Sequence, residues 1–207
     1  MDETRPVIFV VDDDYSVREA VGNLLESVGF RSFSFGSTGE FMQAWRPDVP
    51  GCLLLDVRLP GVNGLDFQDA LEKSGIRIPI VFITAHGDVP MTRRAMKAGA
   101  VDFLTKPFQK DELLSAIRHA LDRDLSARKR NAAVSKLRVR HDALTRRERE
   151  VMDLVVTGLT NKQVAAQLGV TEITVKVHRG RVMEKMKAGS LPELVRMSET
   201  LKANSPG

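Results

Sequence analysis

Short apolar runs alternate with longer amphipathic stretches along the first half of the chain. Five runs predict strands, at residues 7–11, 30–35, 52–55, 78–83 and 101–104. Most stretches between them carry apolar residues at intervals of three and four, the spacing of one helix face. The first stretch also places Ser16 three residues before Glu19, the pattern of a capping box. Strands alternating with helices predict βα units and a five-stranded parallel sheet covered on both faces.

The second half of the chain has helical periodicity only. Residues 110–136 lack Gly and Pro and place Leu113, Ile117 and Leu121 on one face, which predicts a long helix that continues as a linker. Four helix-start signals follow: Thr145 with Glu148, Thr160 with Gln163, Thr171 with Glu172, and Ser190 with Glu193. Gly169 separates the second of these helices from the third, a layout typical of a helix-turn-helix.

The composition is that of a globular protein, with 43% hydrophobic and 28% charged residues. The length of 207 residues suits two small domains. No apolar run approaches the roughly 18 residues of a membrane-spanning helix, so no membrane role is expected. The N-terminus has no secretory signal pattern, which favours a cytoplasmic protein. Cys52 begins an apolar run and is interpreted as a small buried residue, not as a reactive thiol.

Charge is distributed unevenly between the two halves. Residues 1–124 contain 14 Lys/Arg and 19 Asp/Glu, a net charge of −5, whereas residues 125–207 contain 17 and 8, a net charge of +9. The basic half is therefore the part expected to meet nucleic acid. A basic surface that is only solvated, with no nucleic acid bound, would give the same net charge.

Polar residues follow the predicted strands at the points where the strands end. They are Asp12, Asp13 and Asp14 after the first strand, Asp56 after the third, Thr84 after the fourth and Lys106 after the fifth. Ligands of open α/β sheets bind outside this edge. Each residue alone has an ordinary structural explanation, but three carboxylates gathered there would repel one another unless a cation lay among them.

The chemistry of this set favours phosphoryl transfer. Oxygen ligands suit Mg²⁺, and a carboxylate beside that ion can attack phosphorus to give an acyl phosphate. A lysine ammonium and a hydroxyl would offset the charge on the transferred group.

Four sequence segments, in order, resemble the receiver domain of two-component response regulators. They are VVDD at 10–13, LDVRLPG at 55–61, ITA at 83–85, and AGA at 98–100 leading to KPF at 106–108. The resemblance covers residues 1–122 and implies a doubly wound, flavodoxin-like fold. It further implies that Asp56 accepts a phosphoryl group, and that Lys106 pairs with that group and precedes a cis peptide bond.

The same resemblance implies the metal ligands and the switch residues. Asp13, Asp56 and the backbone carbonyl of Arg58 would bind Mg²⁺, with Asp12 acting through a metal-bound water. Thr84 and Phe103 match the two switch positions. Phe103 has no phenolic hydroxyl and fits an ordinary core position equally well.

Residues 144–197 resemble the LuxR/FixJ-type DNA-binding domain, through LTRRERE at 144–150, GLTNK at 158–162 and TVKVH at 174–178. On a helical wheel, Val182 and Met186 lie within about 20° of Val175, which assigns that side to the core. The opposite face is predicted to enter the major groove of DNA. It carries Ile173, Lys176, Val177, Gly180 and Glu184, with Arg181 and Lys187 flanking them.

Individual DNA contacts follow from side-chain chemistry. Lys176 would donate to guanine, and Val177 would contact a thymine methyl group. Relatives often carry lysine at the position of Gly180, so this glycine either lets the backbone approach DNA closely or leaves the base contact to Arg181. Phosphate contacts are expected from Thr160, Asn161, Lys162 and Thr174. The four histidines share no metal-ligand spacing and are interpreted as structural.

Together the two resemblances imply a phosphorylation-controlled transcription factor. A sensor histidine kinase would phosphorylate Asp56, and the homodimer would bind double-stranded promoter DNA and act with RNA polymerase. Expected boundaries are 1–122 for the receiver, 123–140 for a helical linker and 141–207 for an all-α four-helix domain. Dimerisation is expected through residues 90–98 and 101–105, where the ionic side chains are Arg93, Arg94, Lys97 and Asp102.

Three alternatives compete with parts of this interpretation. The acidic receiver could instead mask the basic domain until it is phosphorylated. A constitutive DNA-binding protein could use its receiver only as an interaction module. Residues 12–16 nearly match the opening motif of haloacid-dehalogenase-type phosphatases, but in such an enzyme Asp56 would have no role. In the preferred interpretation the chain is not an enzyme, beyond slow self-dephosphorylation.

Overall fold

The structure is a computed structural model that describes residues 5–46 and 49–204. It divides into two compact units, residues 1–127 and 128–207. The domain boundaries expected at residues 122 and 140 stay a prediction.

The first unit is an α/β domain. Its elements are β1 (Val7–Val11), α1 (Tyr15–Ser27), β2 (Arg31–Phe35), α2 (Thr38–Ala44), β3 (Gly51–Asp56), β4 (Arg58–Leu59), β5 (Val62–Asn63), α3 (Gly64–Lys73), β6 (Ile80–Thr84), α4 (Val89–Lys97), β7 (Asp102–Thr105) and α5 (Lys110–Asp142). Five strands form a parallel sheet with the order β2-β1-β3-β6-β7. A small antiparallel pair, β4 with β5, follows β3 and was not predicted.

Both faces of the sheet are covered, which confirms the doubly wound fold. The three central strands are buried throughout, as their continuous apolar runs predict. Because successive side chains of a strand point to opposite faces, alternate residues feed two separate cores. Phe9, Leu53 and Phe82 belong to the core that includes side chains of α2, α3 and α4. Ile8 and Leu54 belong to the core that includes side chains of α1 and α5.

Two helix boundaries differ from the sequence prediction. Helix α1 begins at Tyr15, and its N-cap is Asp14, whose carboxylate accepts a hydrogen bond from Ser16 N at 2.8 Å. The capping box predicted from Ser16 and Glu19 is therefore wrong, because Asp14, two residues before Ser16, caps the helix instead. Helix α5 continues to Asp142, past the predicted end at residue 136.

The second unit contains the end of α5 and four shorter helices. They are α6 (Arg146–Val155), α7 (Asn161–Leu168), α8 (Glu172–Met186) and α9 (Leu191–Ala203). All four predicted N-caps are confirmed, and the capping boxes at Thr145 and Thr160 are complete. Gly169 ends α7 with φ +66°, a left-handed conformation that glycine adopts without steric cost. The short turn after it leads into α8, which completes the helix-turn-helix.

Candidate functional site

Three carboxylates meet at the carboxyl edge of the sheet. Asp12 directly follows β1 and is fully buried, Asp56 ends β3 and is 6% exposed, and Asp13 is exposed. One oxygen from each lies within 4.8 Å of the others. Among the described residues, this is the one group of three or more acidic, histidine or cysteine side chains close enough to hold a metal ion. The arrangement suits a hard divalent cation with water in its remaining positions.

Lys106 lies between the two buried carboxylates. Its ammonium group donates to Asp12 Oδ2 at 2.5 Å and to Asp56 Oδ2 at 2.7 Å. Its backbone N–H donates to the Thr84 carbonyl at 2.7 Å, which fixes the start of the loop against the end of β6. The peptide bond from Lys106 to Pro107 is cis, as the resemblance implies. One cation thus contacts carboxylates at the carboxyl ends of two different strands.

The electrostatics of the site favour positive charge. Burial raises the pKa of Asp12, hydrogen bonds from Lys106 and the Asp14 N–H oppose that rise, and the charge of Asp56 adds to it. Burial would lower the pKa of Lys106, but the hydrogen bonds to Asp12 and Asp56 raise it above its ordinary value. Lysine is therefore held charged, and a further cation would stabilise the ionised form of Asp12.

The backbone around Asp56 is tightly fixed. Asp56 Oδ1 accepts a hydrogen bond from Arg58 N at 2.9 Å. Gly64 begins α3 directly against the strand end, and a Cβ at that position would lie 2.4 Å from the Asp56 carbonyl oxygen. Only glycine fits there without a shift of the backbone. Sequence reasoning missed this residue, since no local pattern distinguishes it from other glycines.

A second missed residue is Arg18, on α1. Its guanidinium donates to the Asp12 carbonyl oxygen at 2.6 Å, which ties the buried aspartate to the helix that follows it. The five residues between them follow no motif that would have singled out Arg18 in the sequence.

The two expected switch residues occupy different surroundings. Thr84 is fully buried at the end of β6, and its hydroxyl makes long contacts of 3.4 Å with the backbone N–H and carbonyl of His86. Phe103 is partly buried and packs on Phe82, with 6.1 Å between ring centroids. A Cβ at Gly87 would lie 2.8 Å from the Phe103 ring, so the loop after β6 passes directly beside that ring.

The face of α4 carries an ion pair within the chain. Arg94 donates to Asp66 at 2.7 Å and to Asp69 at 2.9 Å, both on α3. Its charge is thus paired within the chain, and its expected role in ion pairs between subunits stays a prediction. Arg93 and Lys97 remain exposed on this face, where a shallow depression of about 550 Å³ lies beside Val89.

In the second unit, one face of α8 is exposed and carries the residues expected to meet DNA. Val175, Val182 and Met186 are at most 1% exposed, which confirms the predicted core side. On the opposite side, Lys176, Val177, Gly180 and Arg181 are all exposed, and Thr174 is half-buried. A Cβ at Gly180 would meet no atom within 4 Å, so its surface is open.

Polar contacts between helices hold this face in place. The Lys185 ammonium on α8 donates to Glu148 Oε2 on α6 at 2.7 Å, and the Glu148 side chain is only 2% exposed. Arg147 donates to the carbonyl of Leu168 at 2.6 Å, at the carboxyl end of α7. None of these partners is close in sequence, so no local signal predicts the contacts.

The residues expected to contact phosphate differ in how many hydrogen bonds they already make within the chain. Lys162 is exposed at the start of α7. Asn161 Oδ1 accepts from Arg179 at 3.1 Å, which leaves the amide N–H groups as donors. The Thr160 hydroxyl contacts the Gln163 side chain at 2.9 Å within its capping box, and the Thr174 hydroxyl contacts that of Thr171 at 2.8 Å.

The remaining sequence predictions concern membranes and the free cysteine. No helix in the described part of the chain combines the length and apolar character needed to cross a bilayer. Cys52 is fully buried and free, as predicted. Burial raises the pKa of its thiol to about 12, so it is protonated and unreactive at neutral pH.

Two family models match the chain. Residues 8–118 match the response regulator receiver domain, and residues 142–198 match the bacterial regulatory proteins of the luxR family. Together they cover both units of the structure.

Relatives match over nearly the whole chain. Nodulation protein W of Bradyrhizobium diazoefficiens is 56% identical over 96% of this chain and 87% of its own length. Response regulator protein TodT of Pseudomonas putida is 46% identical over 98% and 89%. Transcriptional regulatory protein FixJ of Azorhizobium caulinodans is 43% identical over 96% and 93%.

Solved structures agree with the fold. The response regulator StyR has a TM-score of 0.82 and 47% identity, covering 95% of this chain and 99% of its own. Full-length FixJ from B. japonicum has a TM-score of 0.58 and 37% identity, covering 98% and 100%.

Proposed function

The chain belongs to the response regulators that join a receiver domain to a LuxR-type DNA-binding domain, and on that basis we propose that Asp56 is its phosphoacceptor. The observation that carries the proposal is Lys106, whose ammonium contacts both Asp56 and the fully buried Asp12. A nucleophilic carboxylate beside a fixed cation is the arrangement that phosphoryl transfer requires. A sensor histidine kinase is the expected donor.

The transfer step follows from the geometry of the carboxylates. An oxygen of Asp56 forms a bond to phosphorus, while the bond from phosphorus to the donor nitrogen breaks and the nitrogen keeps the electron pair. Lys106 pairs with the incoming phosphoryl oxygens, and the loosely held Thr84 hydroxyl turns to donate to one of them. The backbone contact between Asp56 and Gly64 keeps the nucleophile in place during the reaction.

The donor set fits Mg²⁺. Asp13, Asp56 and the Arg58 carbonyl would hold the ion directly, and Asp12 would act through a bound water. When bound, Mg²⁺ neutralises negative charge on the phosphoryl oxygens. Burial raises the pKa of Asp12, and a cation at this position would stabilise its ionised form.

Phosphorylation would act on DNA binding through dimerisation. The exposed face of α4 with β7 is the proposed subunit contact, with Arg93 and Lys97 available for ion pairs and Arg94 serving the internal contact to α3. Tethering two DNA-binding units makes the second half-site contact intramolecular, which raises avidity by about 10² to 10⁴.

On DNA, the exposed face of α8 would enter the major groove. Lys176 would donate to guanine, with Val177 on a thymine methyl group and Arg181 beside the open surface of Gly180. Asn161, Lys162 and Thr174 would contact phosphate and set the orientation. A protein that binds promoters in this way would act in the cytoplasm, with RNA polymerase as a partner. The chain would have no enzymatic activity beyond slow self-dephosphorylation.

Mass spectrometry tests the phosphoacceptor directly. Incubation with acetyl phosphate and Mg²⁺ should add one phosphoryl group to the full-length chain, and Asp56→Asn should remain unmodified. Omitting Mg²⁺ provides the control for metal dependence. Equal labelling of Asp56→Asn would refute the assignment, and absence of labelling in the unmodified chain would favour a receiver used only as an interaction module.

A further inference from the structure

Two large apolar side chains are exposed on the side of α8 that lies opposite its buried core residues. Ile173 is 77% exposed and Val177 is 49% exposed. Among residues 128–204, Val139 on α5 is the one other large apolar residue that is similarly exposed. The two residues of α8 are four positions apart, so they lie on neighbouring turns of the same face.

Neither packing nor helix formation explains this pair. Ile173 and Val177 belong to none of the buried clusters of the second unit. Both are β-branched, and such residues form helices less readily than lysine or glutamate, which would also keep the surface hydrated. A single exposed apolar residue needs no explanation, but two on one face that also carries exposed cations are a candidate contact surface.

The surroundings of the pair define the shape of that surface. At 100° per residue, Ile173, Val177 and Gly180 fall within about 60° of one another around the helix, and Lys176 and Arg181 lie on either side of them. Gly180 adds no side chain and has no neighbour within 4 Å of a Cβ position. The result is a strip of two exposed apolar side chains with a cation on either side, followed beyond Gly180 by the exposed carboxylate of Glu184.

This strip matches one chemical group of the major groove. The thymine C5-methyl is the apolar group that base pairs present there, and guanine O6 and N7 are acceptors beside it for flanking cations. Four residues of helix advance about 6 Å along the axis, close to two base-pair steps of 3.4 Å. The net charge of +9 on residues 125–207 favours DNA over an apolar protein partner.

We propose that Ile173 is a specificity-determining residue that reads a thymine methyl group about two base pairs from the one read by Val177. The inference rests on the proposed function of α8 as the helix that enters the groove. It adds a second methyl contact and predicts that the preferred half-site carries thymines at two positions with that spacing. Burying one methyl group is worth about a fourfold change in affinity.

The test combines a substitution in the protein with the removal of one methyl group from the DNA. Full-length protein, activated with beryllofluoride, first selects its site from random duplexes, and each thymine of that site is then replaced by uracil. Uracil lacks only the methyl group. At one position, uracil should weaken binding of the unmodified protein about fourfold, and it should weaken binding of Ile173→Ala by less than twofold.

Control variants distinguish this contact from general effects. Val139→Ala removes an equally exposed apolar side chain from α5 and should leave the uracil profile unchanged. Val177→Ala should remove the penalty at a different position. Equal uracil penalties in Ile173→Ala and the unmodified protein at every thymine would overturn the inference while leaving groove binding intact. A selection that enriches no sequence would refute the proposed function of α8, and the inference with it.

Discussion

The ion pair between Glu148 and Lys185 should make the second unit respond unequally to loss of its two partners. Glu148 is 2% exposed, and its Oε2 accepts from Lys185 at 2.7 Å and from Thr145 N at 2.8 Å. The Lys185 side chain is 35% exposed. Without its lysine, the carboxylate would remain buried and could not be hydrated, whereas a lysine without its glutamate can turn into solvent.

The expected cost follows from this asymmetry. A hydrogen bond to a charged group is worth about 1.5–3 kcal/mol, and removing one partner of a fully buried pair costs about 3–5 kcal/mol. Because Lys185 is partly exposed, we expect Lys185→Met to destabilise the unit by about 2–3 kcal/mol. Glu148→Gln should cost about 1 kcal/mol, since glutamine preserves the capping box with Thr145.

Hydrogen exchange measured by mass spectrometry on the full-length chain checks this prediction. Amides of α6 and α8 that exchange by unfolding should exchange about 30- to 150-fold faster in Lys185→Met, and peptides of the first unit should not change. Lys162→Met removes the same charge from an exposed position and serves as the control. A cost for Glu148→Gln equal to or above that of Lys185→Met would refute the desolvation argument.

The same pair predicts a pH dependence. The hydrogen bond from Lys185 holds the pKa of Glu148 below its ordinary value of 4.5, a burial effect opposes it, and bonds from Thr145 add to the lowering. Because the folded-state pKa is depressed, the stabilisation is complete above about pH 4.5 and is lost as the pH falls through the folded value. In Glu148→Gln this part of the acid sensitivity should be absent.

Three further predictions concern function. In the absence of Mg²⁺, Asp56→Asn should have the same Tm as the unmodified chain or a higher one. The substitution removes charge repulsion between Asp56 and Asp12, while Lys106 keeps its 2.5 Å contact to Asp12. A marked drop of Tm in a thermal melt would contradict this prediction. Lys176→Ala should lose about 1–3 kcal/mol of binding at the selected site and much less on random DNA, whereas Lys162→Ala should lose equally on both; titrations at one salt concentration decide, and equal losses for Lys176→Ala would make it a phosphate contact. Phosphorylation should convert monomer to dimer in sedimentation, and a fragment from residue 140 onward should bind DNA only weakly; a fragment that binds as tightly as the phosphorylated chain would instead indicate masking by the receiver.

Local patterns in the sequence determined the elements and the edge where the site lies. Three features depend only on residues within one or two turns of each other. They are the threonine caps at 145 and 160, the buried runs of the central strands, and the side of α8 that packs inward. The carboxylates and Lys106 could be placed together because parallel strands bring their carboxyl ends to one edge. These inferences need only periodicity and topology.

Only the tertiary structure decided which side chains pair across elements. Gly64 fits against the Asp56 carbonyl, Arg94 reaches two aspartates on α3, and Lys185 meets a glutamate 37 positions earlier. At the far end of the first unit, the buried Asp124 accepts from Gly51 N across 73 positions. Such contacts depend on distances between packed helices and strands, which no local spacing encodes, and so the sequence predicted the chemistry of the site but not the residues that hold it rigid.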